Sequence, residues 1–160
     1  MPEFFICNRS QVRRRVKQLG ITHLLTLLDP GRSMFKPTLI APANWLWLKF
    51  EDQESPQDLH APTLEHAERI LAWGKNLPKD ARVLVHCQAG VSRSTASAIA
   101  LWVQTHGTLQ GARDWIDEIR PQACPNMLLA EFFDQLLCMQ GEFQAMCDSI
   151  GHENIKRFFV

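Results

Sequence analysis

Two periods divide the apolar positions of this chain. Compact apolar runs fall at Phe4–Cys7, Ile21–Leu28, within Asn44–Phe50, and at Val83–Val85. Runs this short, bounded by turn residues, predict buried strands. Asp29-Pro30-Gly31 ends the second run with turn chemistry, and residues 32–43, with Pro37 and Pro42, read as a loop. Helical spacing fills the remainder. Ser10 is placed to cap a helix that reaches Leu19 and stops at Gly20. Thr63 precedes Leu64, Ala67, Ile70, Leu71 and Leu77, one face of a second helix. A small-residue segment, Thr95–Ala100, predicts a helix to about His106 with Gly107 as its stop. Thr108 is placed to cap another, with Leu109, Ala112, Trp115, Ile116 and Ile119 on one side and Pro121 at its end. A last helix from Met127 to Phe143 is apolar on most faces, which predicts burial. The tail from Ser149 is polar until Phe158-Phe159-Val160. Trp45 and Trp73 read as packing residues.

Strands alternate with helices first, and helices follow alone. That order predicts an α/β fold with a central mixed, mostly parallel sheet flanked by helices. The 160 residues suffice for one cored domain, 1–160, with no internal repeat or low-complexity stretch. Ligands of such sheets bind beyond the carboxyl ends of the strands.

Charge narrows the partners. Lys plus Arg and Asp plus Glu both number 17, so the chain is neutral, which argues against a nucleic-acid or anionic-membrane surface. Arg13, Arg14, Arg15 and Lys17 cluster on the first helix. A solvated face is the preferred reading there, over a docking surface for an acidic partner. The start, Met1-Pro2-Glu3-Phe4-Phe5, lacks the plan of a signal peptide, and no apolar run is long enough to span a bilayer. Five irregularly spaced cysteines with no Cys-x2-Cys pair suggest neither a disulfide framework nor a structural zinc. A reducing cytoplasm is the expected setting.

One stretch carries chemistry: His86-Cys87-Gln88-Ala89-Gly90-Val91-Ser92-Arg93-Ser94, between the Val83–Val85 strand and the small-residue helix. Strand, tight loop and helix N-terminus together aim backbone N–H groups and a helix dipole at one point, which favours an anion. The same field favours the thiolate of Cys87. A loop that curls between Cys87 and Arg93 brings the guanidinium over the anion, where its planar fork matches two phosphoryl oxygens. A thiolate inside a phosphate cradle, lined by Gln88, Ala89, Gly90, Val91 and Ser92, predicts phosphoryl transfer to sulfur.

These residues match the His-Cys-x5-Arg-Ser/Thr signature and resemble the cysteine-based protein tyrosine phosphatases, in particular the small dual-specificity branch and its bacterial relatives. The resemblance covers residues 44–140 and is strongest at 86–94. It implies a general acid from a loop some three dozen residues before the cysteine. Asp52 lies 35 positions ahead of Cys87 (87 minus 52), with Asp58 as the alternative. Phe50-Glu51-Asp52 replaces the Trp-Pro-Asp of the large tyrosine-specific enzymes, which favours the dual-specificity branch. The hydroxyl of Ser94 is placed to help the sulfur leave. The resemblance further implies that His86 orients the loop and that Asn126, in Arg120–Asn126, braces it. No metal or cofactor is required, since Arg93 and the loop amides supply the positive field. Relatives that take phosphoinositides tend to carry basic residues in this loop, so by resemblance the uncharged loop implies a phosphorylated protein, with phosphotyrosine first and phosphoserine or phosphothreonine also open. Alternatives are a phosphoinositide, an RNA end or a small phosphate as substrate, or a non-catalytic phospho-binding module. Oligomeric state and a resolving cysteine among Cys7, Cys124, Cys138 and Cys147 stay open.

Overall fold

The computed structural model describes residues 1–34 and 36–160; Phe35, within the predicted 32–43 loop, lies outside them. Four strands form one sheet: β1 (Glu3–Asn8), β2 (His23–Leu28), β3 (Trp45–Lys49) and β4 (Arg82–Cys87). Their order is β1-β4-β2-β3, and every pairing is parallel. The element pattern allows a mixed sheet; among the described residues the sheet is wholly parallel. All strands therefore end at one edge. Asn8 pairs with Cys87 there, and the chain leaves β2 and β3 beside them at Asp29 and Phe50.

Side chains alternate across a strand, so the sheet feeds two cores. Phe4, Ile6, Leu25, Leu27, Val83, Val85 and Cys87 enter the larger one. It is covered by α2 (Leu64–Lys75), α3 (Arg93–His106), α4 (Ala112–Ile119), α5 (Met127–Leu136) and α6 (Glu142–Asn154). Cys7, Leu24 and Leu84 enter the smaller, under Val12 and Val16 of α1 (Val12–Leu19). The small residues expected at the start of α3 explain its central place. Ser94, Ala96, Ser97, Ala98 and Ala100 are all buried, letting other elements pack around this helix. At Gly74 of α2, a Cβ would fall 2.3 Å from Leu101 Cδ2 and 2.7 Å from Gln104 Oε1, so any larger residue there requires these side chains to move.

Several boundaries differ from the sequence reading. Asn8, not Ser10, supplies the first cap: its Oδ1 accepts from Gln11 N–H at 3.1 Å as a 3-10 turn, Arg9–Gln11, leads into α1. Thr108 Oγ1 accepts from Gln110 N–H in a turn, and α4 starts only after Gly111. Thr63 does cap α2, reciprocally with His66.

The last apolar run is two helices. Cys138, Gln140 and Gly141 have φ of +55°, +55° and +89°, which no helix interior accepts, so the chain reverses between α5 and α6. Asp134 of α5 accepts from Gly141 N–H at 2.8 Å and Gln144 N–H at 3.1 Å, capping the second helix from the first. Phe133 and Phe143 then meet edge to face. Past Ser149 the helix continues to Asn154 and a π-helical turn, Ile155–Phe159, where a packed or fraying tail is predicted.

Candidate active site

Cys87 ends β4, residues 88–92 form the loop, and Arg93 opens α3. The carbonyls of this loop are all engaged from outside. Arg9 N–H donates to Gln88 O at 3.1 Å. The Arg120 guanidinium spans two more, Nη2 to Ala89 O at 3.2 Å and Nε to Gly90 O at 2.7 Å. Val91 O accepts from Cys124 N–H at 2.9 Å and from Thr95 Oγ1, and Ser92 O accepts from Asn126 N–H at 3.2 Å. Carbonyls held outward leave the amide N–H groups to the concave side, which is what an anion cradle requires. Gly90 is needed at the tightest point. Its φ is +69°, and a Cβ would sit 2.5 Å from Cys7 O and 2.8 Å from Arg120 Nη2.

Cys87 is 2% exposed. Two groups reach its Sγ: Ser94 Oγ at 3.2 Å and the Gly90 N–H at 3.3 Å. Beneath it, His86 Nδ1 lies 3.2 Å from Cys87 O, a pure acceptor, so Nδ1 carries the proton. Nε2 then accepts from Thr26 Oγ1 at 2.8 Å, which in turn accepts from Trp45 Nε1–H at 2.9 Å. Trp45, expected only to pack, also ends this relay. Burial pushes His86 down to about 4, which keeps the ring neutral and this arrangement intact.

Arg93 is buried, with Nη1 on Asp29 Oδ1 at 2.7 Å and on Phe50 O at 2.6 Å. Its Nε is buried without a partner among the described residues. One edge of the guanidinium is thus anchored by the ends of β2 and β3, and the Nε edge is left for a ligand. Asp52 Oδ1 accepts from Ser92 Oγ at 2.7 Å and from Asn126 Nδ2 at 2.8 Å. The segment after it is tied down as well: Asn126 Nδ2 also donates to Gln53 O, and Met127 N–H to Glu54 Oε1, both at 3.0 Å. Asn126 Oδ1 meanwhile caps α5 through Leu129 N–H at 2.9 Å. The alternative acid, Asp58, is exposed and sits in a turn with its backbone bonded to Ser55 and Ala61.

The structure thus gathers Asp52, His86, Cys87, residues 88–92, Arg93, Ser94 and Asn126 at one sheet edge. Sequence reasoning missed Arg120, Asp29 and Thr26. The first stands at the head of the segment quoted for Asn126, but nothing in its type distinguishes it from a surface charge. Burial raises the thiols of Cys7 (to about 12), Cys124 and Cys147. Cys7 also enters the opposite core from Cys87, and Cys138 is exposed. Among the described residues no group of three or more His, Cys, Asp or Glu could hold a metal ion, and no helix is long and apolar enough to cross a membrane.

A cysteine under a tightly turned loop, with an arginine at the helix start and a carboxylate docked opposite, is an arrangement suited to phosphoryl transfer to sulfur. Comparison with known proteins agrees. The family model "Dual specificity phosphatase, catalytic domain" matches residues 4–141, and the chain belongs to that family. Human dual specificity protein phosphatase 2 is 38% identical over 150 residues, which is 92% of this chain and 44% of that protein. The MAP kinase phosphatase with leucine-rich repeats protein 3 of Dictyostelium discoideum is 31% identical over 138 residues, 84% of this chain but 14% of its own length. The chain therefore spans less than half of these curated relatives. Among solved structures, the human tyrosine phosphatase-like serine/threonine/tyrosine-interacting protein shares the fold, with a TM-score of 0.65 at 20% identity, over 86% of this chain and 92% of that one.

Proposed function

We propose that residues 1–160 act as a single phosphatase domain that hydrolyses phosphotyrosine in proteins, with phosphoserine and phosphothreonine as further substrates, through a cysteinyl-phosphate intermediate and without a metal. The observation that carries this reading is the convergence on Cys87 Sγ of Ser94 Oγ at 3.2 Å and Gly90 N–H at 3.3 Å, beside the unpartnered Nε of Arg93. In the first step the Cys87 thiolate attacks phosphorus, and the S–P bond forms as the P–O bond to the leaving group breaks. The loop amides and the Nε edge of Arg93 hold the equatorial oxygens, where charge is greatest in the transition state.

Asp52 protonates the departing oxygen. Its Oδ1 already accepts two hydrogen bonds, so the transferable proton belongs on Oδ2. In the second step Asp52, now a carboxylate, takes a proton from the water that attacks phosphorus, and the sulfur leaves while Ser94 donates to it. Asn126 and Ser92 position the acid; His86, Thr26 and Arg120 position the loop. Five free cysteines suit a reducing compartment, and the cytoplasm is the proposed location.

Turnover of para-nitrophenyl phosphate in the presence of EDTA, set beside Cys87→Ser, tests the reaction. The wild type turns over and the variant does not; equal rates in both contradict the proposal. Phosphotyrosine peptides, phosphoserine peptides and phosphoinositides compared at equal concentration then rank the substrate, and a phosphoinositide in first place contradicts the protein assignment.

A further inference from the structure

Charge is distributed unevenly along this neutral chain. Residues 1–50 hold eight Lys and Arg and only two acids, Glu3 and Asp29. Of these acids, Glu3 pairs with Arg82 and Asp29 with Arg93. The surplus collects in a concavity. Between α1 and the segment before β3 lie two adjoining hollows, of about 320 and 450 Å³, that share Arg13 and Pro37 and together form a groove. Arg9, Arg13, Lys17 and Lys36 line it, and Ser10 and Ser33 add hydroxyls. No carboxylate among the described residues does. Gln88 is among the lining residues, so the groove adjoins the loop that follows Cys87.

The opposite flank has the other sign. Asp52 is bonded to Ser92, at the far end of the same loop, with Glu51 and Glu54 beside it. A phosphorylated side chain seated over Cys87 would therefore lie between a basic flank and an acidic one. From Arg9 to Lys17 the chain makes eight residue steps, a 3-10 turn and then α1, or roughly 13 Å, the span of about four residues of extended peptide.

We propose that this groove binds a short acidic segment of the phosphoprotein substrate, on one side only of the phosphorylated residue. The proposal rests on the phosphatase reading above and adds a substrate class to it. Arg9, Arg13, Lys17 and Lys36 provide the counter-charges for the segment's carboxylates, and the acids around Asp52 repel such a segment from the other side. The basic stretch 13–17, for which a solvated face is the simpler expectation, then has a ligand.

Fluorescence anisotropy on the Cys87→Ser protein tests this without turnover. Three labelled phosphotyrosine peptides are compared: three Glu before the phosphotyrosine, three Glu after it, and Gln at all those places. One acidic peptide, and not the other, should bind about tenfold tighter than the Gln peptide at low salt, the size expected of two or three exposed ion pairs. The gap should close with added salt, and should disappear in Arg13→Glu/Lys17→Glu and shrink in the milder Arg13→Gln. Turnover of para-nitrophenyl phosphate by wild type and by Arg13→Glu/Lys17→Glu, equal in both, reports the catalytic reading separately. Equal affinity for all three peptides overturns the proposal, as does a gap that survives the charge reversal. Binding of vesicles containing phosphoinositide through the same cations, stronger than binding of either acidic peptide, overturns it in favour of a lipid headgroup.

Discussion

Asn126 Nδ2 donates to Asp52 Oδ1 at 2.8 Å, joining the acid-bearing loop to the first turn of α5 across 74 positions of chain. The same side chain caps that helix through Leu129 N–H, and its main chain holds Ser92 O. One residue thus registers the Asp52 segment, the loop after Cys87 and a core helix against one another. Replacement by alanine should show both losses. Asn126→Ala should cost about 1–2 kcal/mol of stability, as lost caps do, read by chemical denaturation. It should also slow phosphotyrosine hydrolysis more than hydrolysis of an activated aryl phosphate. A stability loss with no change in that ratio would reduce Asn126 to a helix cap.

Asp52→Ala should remove the proposed proton donor itself. Phosphotyrosine peptides should lose about a hundredfold in rate or more, the usual size of general acid catalysis. An activated aryl phosphate should lose much less in single-turnover phosphorylation of Cys87. The basic limb of the pH–rate profile should go with the acid. Asp58, exposed in the turn after Ser55, should tolerate alanine with little change. Reversal of the two results would move the acid six residues along the segment.

Gly90 and Arg120 test the loop. Gly90→Ala forces a Cβ into Cys7 O and a left-handed backbone, so it should abolish turnover. Arg120→Lys keeps the charge but cannot span both Ala89 O and Gly90 O. Phosphate or vanadate affinity, followed by inhibition, should fall in Arg120→Lys nearly as far as in Arg120→Met. Full retention of inhibitor affinity in both variants would show that the loop keeps its shape without the guanidinium.

Much of the candidate site is legible in the sequence because the loop from Cys87 to Ser94 is local. Cys87, Arg93, Gly90 and Ser94 lie within one turn of chain between a strand and a helix, and the cap at Thr63 and the stop at Gly107 are equally local. What was not legible depends on contacts between distant segments. Asp29 meets Arg93 only because β2 and β4 are neighbours in a parallel sheet. Arg120 reaches the loop from the end of α4, and the α5–α6 break is stabilised by Asp134 several residues upstream of the turn it caps. Hydrophobic periodicity alone continues through that break, since Leu136, Leu137 and Phe143 are apolar on both sides of it. At the first helix, Asn8 and Ser10 are both good caps, and only the point where the chain leaves β1 decides between them.

His86 should make stability depend on pH. Its folded value of about 4 lies below its unfolded 6.5, so between these values the unfolded chain binds the proton and the folded chain does not. The contribution is therefore fully present above pH 6.5 and is lost as pH falls towards 4, about 3 kcal/mol in all. Burial lowers His23 and His66 in the same direction. Urea unfolding at pH 7 and pH 4.5 should show a large drop for wild type and a smaller one for His86→Asn. The same drop in both would mean that the ring is not held neutral by the fold.

The proposed reaction turns on a covalent bond between Cys87 and phosphorus. Rapid acid quench of enzyme mixed with an activated aryl phosphate in EDTA, followed by intact mass and peptide mapping, tests that bond directly. One added phosphoryl group should appear, on the peptide carrying Cys87, within the first turnover. It should be absent from Cys87→Ser and should persist longer in Asp52→Ala, which lacks the base for the second step. Full turnover with no phosphorylated cysteine at any quench time, or turnover retained by Cys87→Ser, would contradict it.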